Sequence, residues 1–127
     1  MKVKVTWKAF GEKPEQGRFI TSVDFELFDF MSSHDALLNT IYKATNLQDE
    51  LAEFGHGSFS IYIWNVIKAR LSNQRTHTSL SVGDEVEIDG ITYVCADIGW
   101  VVANKADVKY LPSEYGDGAI FSVRAKD

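Results

Sequence analysis

Residues 85–95 read Glu85-Val86-Glu87-Ile88-Asp89-Gly90-Ile91-Thr92-Tyr93-Val94-Cys95 and carry the clearest structural signal in the chain. An Asp-Gly pair between two alternating runs is typical of a β-hairpin with a two-residue type I′ turn. Such a turn pairs Ile88 with Ile91, and Val86 with Tyr93. These four side chains and Cys95 are then expected on one buried face, with the intervening side chains on the outer face.

A second antiparallel pair of strands is predicted at the start of the chain. Val3, Val5 and Trp7 alternate with lysine and threonine, which is the period-2 pattern of a half-buried strand. Residues 11–17 have glycine at both ends and a proline inside, as is typical of a loop. From residue 19 to residue 27 the alternation resumes. We therefore expect two strands joined by a wide hairpin loop.

Between the two hairpins the pattern changes to helical spacing. Ser32 and Asp35 resemble a weak capping box, and Asn46 is a suitable helix stop. The apolar stripe of this first helix consists of Leu37, Leu38, Ile41 and Tyr42.

A second helix is predicted from about Ser60, with basic residues in its last turns that suit the helix dipole. Its apolar stripe consists of Ile63, Trp64, Ile67 and Leu71. The β-branched and aromatic run 59–64 also fits a strand, but the continuation of the stripe to Leu71 favours the helix.

The C-terminal third offers weaker signals. A short strand is expected at 100–102, a polar loop from 103 to 118, and one last edge strand at 119–124. Strands and helices that are segregated along the chain predict an α+β fold. We expect a single domain with an antiparallel sheet of about five strands and two helices packed on one face.

Composition restricts the class of protein. The 127 residues are 45% hydrophobic and 24% charged, which is typical of a folded globular domain rather than a disordered one. A single cysteine excludes an internal disulfide, and no apolar run is long enough to span a membrane. Without an apolar leader, the cytoplasm is the expected compartment. The net charge of −5 argues against non-specific nucleic-acid binding.

One block of sequence resembles a known family. It reads Arg75-Thr76-His77-Thr78-Ser79-Leu80-Ser81-Val82-Gly83-Asp84, and the hairpin after it ends in Tyr93-Val94-Cys95-Ala96-Asp97-Ile98-Gly99-Trp100. Upstream stand Tyr42-Lys43-Ala44-Thr45-Asn46 and Trp64. Together these residues resemble the R-T-H-T-[SA]-L-S-V-G-D … Y-x-C-A-x-x-G-[FW] pattern of small proteins encoded by tailed phages, especially phages of actinobacteria. The resemblance covers about residues 1–103, which leaves 104–127 as a variable C-terminal extension. It implies a phage accessory protein that acts in the host cytoplasm, and it assigns no activity.

The same block holds the densest set of polar side chains, Arg75, Thr76, His77 and Thr78, in a connector before the hairpin. One interpretation makes His77 an acid, base or anion contact and Arg75 a phosphate or carboxylate ligand. The other has the hydroxyls hydrogen-bonding the backbone of a tight bend, and we favour it. The four residues are kept as candidate binding residues.

Catalytic and metal motifs are weak. Ser79 lies close to His77 in sequence but has no nucleophile elbow around it. Glu53 and His56 have metal-site spacing, yet His34, His56 and His77 fall in three different segments. Cys95 is interpreted as a small core residue. We therefore expect no enzyme, no metal and no cofactor.

Two features bear on the partner. Lys2, Lys4 and Lys8 form a row on the outer face of the first strand, opposite Trp7, and we interpret the row as a solvated face. Trp100 follows a glycine, and core packing is the favoured interpretation of it. The alternative is an interface residue at the rim of the sheet, for which Trp100 is kept as a candidate binding residue.

The predicted function is a non-enzymatic protein that binds a host macromolecule, most simply a host protein. The alternative is a nucleic-acid or nucleotide-binding module that uses the lysine row and the Arg75–His77 block. A third hypothesis is a small enzyme centred on His77.

Overall fold

The structure is a computed structural model that describes residues 1–12, 19–27, 33–47, 58–71, 79–110 and 120–126. Its elements, in chain order, are β1 Lys2–Glu12, β2 Phe19–Glu26, α1 His34–Leu47, α2 Ser58–Arg70, β3 Glu85–Ile88, β4 Ile91–Cys95, β5 Trp100–Val102, a 3₁₀ turn at Ala103–Lys105, β6 Ala106–Tyr110 and β7 Ile120–Ala125.

Strands β1 to β5 form one antiparallel sheet in the order β2-β1-β3-β4-β5. The predicted hairpin is confirmed, because Ile88 pairs with Ile91 and Val86 with Tyr93. Asp89 and Gly90 have φ angles of 47° and 87°, and a type I′ turn requires positive φ at both positions. The N-terminal hairpin of β1 and β2 is confirmed as well.

Both helices cover the same face of this sheet. Their apolar stripes bury against inward side chains of β1, β2 and β3, and the resulting main core contains Val3, Val5, Trp7, Val23, Phe25, Leu37, Leu38, Ile41, Ile63, Trp64, Ile67, Val86 and Ile88. The predicted α+β fold with a five-stranded antiparallel sheet and two helices is therefore confirmed. Residues 59–64 are helical, so the strand alternative for that run is wrong.

Two local details differ from the prediction. The N-cap of α1 is Ser33, whose Oγ accepts the N–H of Ala36 at 3.1 Å, and Ser32 lies outside the described residues. Ile91 was expected in the core but is exposed, and Tyr93 is only half-buried. The reason is that β4 lies next to the edge strand β5, where the main core no longer covers the inner face completely.

The expectation for the C-terminal region is wrong in two respects. Residues 103–110 were predicted to be loop but form the 3₁₀ turn and strand β6. Strand β7 does not extend the main sheet, because it pairs with β6 in a separate two-stranded sheet. Residues 106–110 alternate apolar and polar side chains, so a period-2 strand signal was present there, but it is only five residues long and stands beside a polar, proline-containing stretch.

This second sheet packs on the main one through a smaller apolar cluster of Val94, Ala96, Ala106, Ile120 and Val123. Val94 pairs with Glu85 and Val101, and directly paired residues share a face, so Val94 lies on the outer face. The β6–β7 sheet thus shields apolar side chains of β4 and β5 that the helices do not reach.

None of the helices among the described residues is both long and apolar enough to cross a membrane.

Candidate functional site

The predicted polar site cannot be placed, because Arg75, Thr76, His77 and Thr78 lie outside the described residues. The rest of the block, from Ser79 to Asp84, is described, and its contacts are those of a structural segment. Trp100, the fifth candidate residue, begins β5 and pairs with Cys95, and it lines one cavity together with Val82 of this block.

The end of α1 meets the segment before β3 at Leu80. The Thr45 Oγ accepts the backbone N–H of Leu80 at 3.4 Å, and the Asn46 side-chain amide donates to the Leu80 carbonyl at 3.4 Å. Thr45 is fully buried, and its hydroxyl also donates to the Tyr42 carbonyl at 3.1 Å. The Thr-Asn pair therefore joins the end of α1 to the entrance of β3.

Replacing Thr45 with valine is expected to lower the free energy of unfolding by about 1–2 kcal/mol, because a buried Leu80 N–H loses its acceptor. Urea unfolding followed by circular dichroism measures this change. Thr40→Val is the matched control, since Thr40 donates only to the Ala36 carbonyl of its own helix on the exposed side. An equal effect of the two substitutions would contradict the proposed role of Thr45.

The turn before β3 is tied to the end of β4. The Asp84 carboxylate accepts the Ser81 N–H at 2.8 Å, which closes the turn. The Gly83 N–H donates to the Cys95 carbonyl, and the Cys95 N–H donates to the Asp84 carbonyl, both at 2.8 Å. Gly83 and Asp84 thus hold the entrance of β3 against the end of β4.

Cys95 is buried, as its alternation predicted. Burial, and after it the negative charge of Asp84, raises the pKa of its thiol to about 11. At neutral pH the thiol is therefore protonated, and a protonated thiol is a poor nucleophile and metal ligand. The core interpretation of Cys95 accounts for its position.

Trp100 is packed against the core on one side and exposed on the other. It pairs with Cys95 on the inner face and packs against the main core, yet it is only half-buried. Its remaining surface lines an open cavity of about 330 Å³, together with Asn39 and Tyr42 of α1. Tyr42 is 42% exposed, although the helical pattern had assigned it to the core.

A second cavity of about 370 Å³ lies on the other side of the β4–β5 turn. It is lined by Ile98 and Val101 together with Val123 and Arg124 of β7. The turn is closed by the Ala96 N–H, which donates to the Gly99 carbonyl at 2.9 Å. Ile98 at its tip is 92% exposed, an unusual state for a large aliphatic side chain. We call Tyr42, Ile98, Trp100 and Val101 the turn surface.

Sequence reasoning missed Ile98. The available signal was the Asp97-Ile98-Gly99 tripeptide, because a turn of this kind usually presents polar side chains to solvent. It also missed the half-buried contact between His34 and Tyr93, whose Nδ1 and hydroxyl atoms lie 2.7 Å apart with the rings edge-to-face.

Asp97 fixes the β4–β5 turn to the second sheet. Its carboxylate accepts the Val123 N–H at 3.0 Å, the Ser122 hydroxyl at 2.8 Å and the Arg124 Nε–H at 3.2 Å. Its own N–H donates to the Val123 carbonyl at 2.9 Å. The Val123 hydrogen bond, followed by that of Ser122, holds the pKa of this carboxyl below its usual 3.8.

Because the folded-state pKa of Asp97 is lowered, its ionised form stabilises the fold at pH values above 3.8, and this contribution disappears as pH falls through the lower folded-state value. We expect Asp97→Asn to lower the urea midpoint at pH 7. The variant should then lose less stability than the wild type when the pH is lowered further. Asp107→Asn, which removes an exposed charge opposite Arg124, is the matched control. An unchanged acid dependence in Asp97→Asn would contradict this role.

The lysine row is interleaved with acidic residues. Lys2 lies opposite Glu26, and Lys4 lies between Asp24 on one side and Glu87 on the other. All five side chains are on the outer face, where opposite charges on neighbouring strands attract. The side chain of Lys8 is outside the described residues. This arrangement favours the solvated-face interpretation over a polyanion site.

Within the described residues, no three histidine, cysteine or acidic side chains are grouped closely enough to hold a metal ion. Comparison of the chain with protein-family models, curated proteins and solved structures found no match.

Proposed function

We propose that this chain is a small, non-enzymatic phage accessory protein that binds a host protein in the host cytoplasm. The phage origin rests on the sequence pattern from Arg75 to Trp100. The choice of a protein partner rests on the turn surface.

The observation that carries the proposal is Ile98, a large aliphatic side chain that is almost fully exposed between two cavities. A half-buried tryptophan and an exposed tyrosine lie beside one of these cavities. Aromatic residues surrounded by a polar rim are enriched where proteins bind one another. Asp97 and Arg124 supply charged groups at the edge of this surface.

The test is affinity purification from a lysate of the host bacterium with the wild-type protein and with Ile98→Asp. We expect a host protein that survives nuclease treatment and is lost with Ile98→Asp. Tyr62→Ser is the control, because Tyr62 is a large hydrophobic residue that is 48% exposed and lies on α2, outside the turn surface. Equal recovery with Ile98→Asp and wild type would contradict the assignment of the turn surface.

Nucleic-acid binding predicts a different outcome of the same experiment. Recovery would then depend on nucleic acid, fall steeply with salt, and be lost in a Lys2, Lys4 and Lys8 triple substitution to serine. The acidic net charge and the carboxylates flanking Lys2 and Lys4 lead us to expect neither effect.

A further inference from the structure

Strand β5 is an edge strand beside the turn surface. It pairs with β4 on one side, and no other described strand pairs with its second side. An edge strand presents unpaired N–H and C=O groups, which can hydrogen-bond an extended segment of another chain.

The hydrogen-bonding pattern identifies which groups of β5 point to this free edge. In an antiparallel pair, every second pair of opposed residues exchanges hydrogen bonds, and the residues between them point their groups to the other side. Ala96 donates to Gly99, and the N–H and C=O of Cys95 bond to Asp84 and Gly83 on the opposite side. The backbone N–H and C=O of Val101 therefore point to Val94 of β4. The backbone groups of Trp100 and the N–H of Val102 point to the free edge.

The two cavities border β5 on opposite faces of the sheet, at Trp100 on the inner face and at Val101 on the outer face. Successive side chains of a strand point to opposite faces of the sheet. One set would lie on the inner face beside Trp100 and Tyr42, and the other on the outer face beside Val101 and Val123. Ile98 at the tip of the turn borders the outer cavity.

Charge near the outer cavity indicates the chemistry of the added strand. Lys105, Arg124 and Lys126 are all exposed, and the Lys126 N–H donates to the Lys105 carbonyl at 2.8 Å, which brings these two residues together. Arg124 lines the outer cavity together with Asp97, with which it forms an ion pair at 3.2 Å, so the basic rim of this cavity consists of Lys105 and Lys126. The protein carries a net charge of −5, so this basic rim contrasts with the whole chain and complements an acidic segment.

We propose that β5 binds an extended segment of the partner protein as an added antiparallel strand, with apolar side chains in the two cavities and acidic side chains toward Lys105 and Lys126. This proposal rests on the proposed function, because it specifies how the turn surface engages its partner. The peptide backbone supplies the affinity at Trp100 and Val102, and the cavities select the side chains.

The decisive variant is Val102→Pro. Val102 has a φ of −60°, which proline adopts without strain, and its N–H points to the free edge rather than to β4. The substitution therefore removes one edge donor and leaves the β4–β5 ladder intact. Val102→Ala is the matched control, because it shortens the side chain and keeps the N–H.

The probe is a random twelve-residue peptide library displayed on filamentous phage and selected on the full-length protein. We expect enriched peptides that alternate apolar and acidic residues, and synthetic versions should bind Val102→Pro at least tenfold more weakly than Val102→Ala. In the wild-type protein, bound peptide should slow hydrogen exchange at the amides of Trp100 and Val102. That measurement does not depend on the folding of a variant.

Equal peptide affinity of the two variants, without protection of these amides, would overturn the added strand. The proposed function would still stand if Ile98→Asp abolished recovery of the host protein. A wild-type dimer that Val102→Pro converts to monomer would also overturn the proposal, because a second copy would then occupy the edge. If Ile98→Asp still recovered the host protein and Val102→Pro still bound the peptides with unchanged affinity, both proposals would be contradicted.

Discussion

Replacing Gly83 with alanine is expected to destabilise the fold by about 2–5 kcal/mol. Gly83 has a φ of +99°, a conformation that costs residues with a side chain about 1–2 kcal/mol. A Cβ atom at this position would also lie 2.7 Å from two side-chain carbons of Ile120, and overpacking of this kind costs about 1–3 kcal/mol. The substitution would therefore strain the entrance of β3 and displace strand β7 together.

Gly90→Ala separates these two contributions. Gly90 has a similar φ of +87°, but nothing lies within 4 Å of the Cβ it would gain, so only the backbone strain applies. Ile120→Ala provides a second control, since Gly83→Ala should cost less in that background. Urea unfolding of the single and double variants measures both differences. Equal losses for Gly83→Ala and Gly90→Ala would show that Ile120 does not occupy the position described.

Trp7→Ala is expected to lower the free energy of unfolding by about 3–5 kcal/mol, because it leaves a large cavity in the main core. Trp7 is fully buried between the sheet and the helices. Chemical denaturation at 25 °C measures the loss, and thermal melting shows whether the variant still folds cooperatively.

Trp100→Ala is the informative comparison, because Trp100 is half-buried at the edge of the same core. We expect a smaller loss of stability than for Trp7→Ala and a clear loss of partner binding. If Trp100→Ala were as destabilising as Trp7→Ala while the folded fraction bound normally, Trp100 would belong to the core alone.

These expectations separate two adjacent regions of the chain. Its described residues from Ser79 to Asp84, with Thr45 and Asn46, form hydrogen bonds that position β3 and β4. The turn surface begins directly beyond them, at Ile98 and Trp100. Residues Ser79 to Asp84, the described part of this sequence block, therefore belong to the framework that presents the turn surface.

Local patterns were enough to predict most elements of the fold. The alternation of Val3, Val5 and Trp7 predicts a strand and its buried face, since the side chains of a strand alternate with a period of two. The Asp89-Gly90 turn specifies the register of its hairpin, because a two-residue loop leaves no other pairing of the flanking strands. The apolar stripe that ends at Leu71 distinguished α2 from a strand, because its side chains recur with the period of a helix and not with the period of two of a strand.

Contacts between distant segments had to come from the tertiary structure. Strand β1 pairs with β3, and β7 pairs with β6 and not with the main sheet. These pairings are made by backbone N–H and C=O groups, which are alike in every strand, so the sequence does not specify them. An alternating sequence states which side chains face inward, but it does not state which strand lies alongside. The exposure of Ile98 also depends on a contact between distant segments, namely the position of the β6–β7 sheet beside the β4–β5 turn. Asp97 bonds this sheet through Val123, and Ile120 of the same sheet lies close against Gly83.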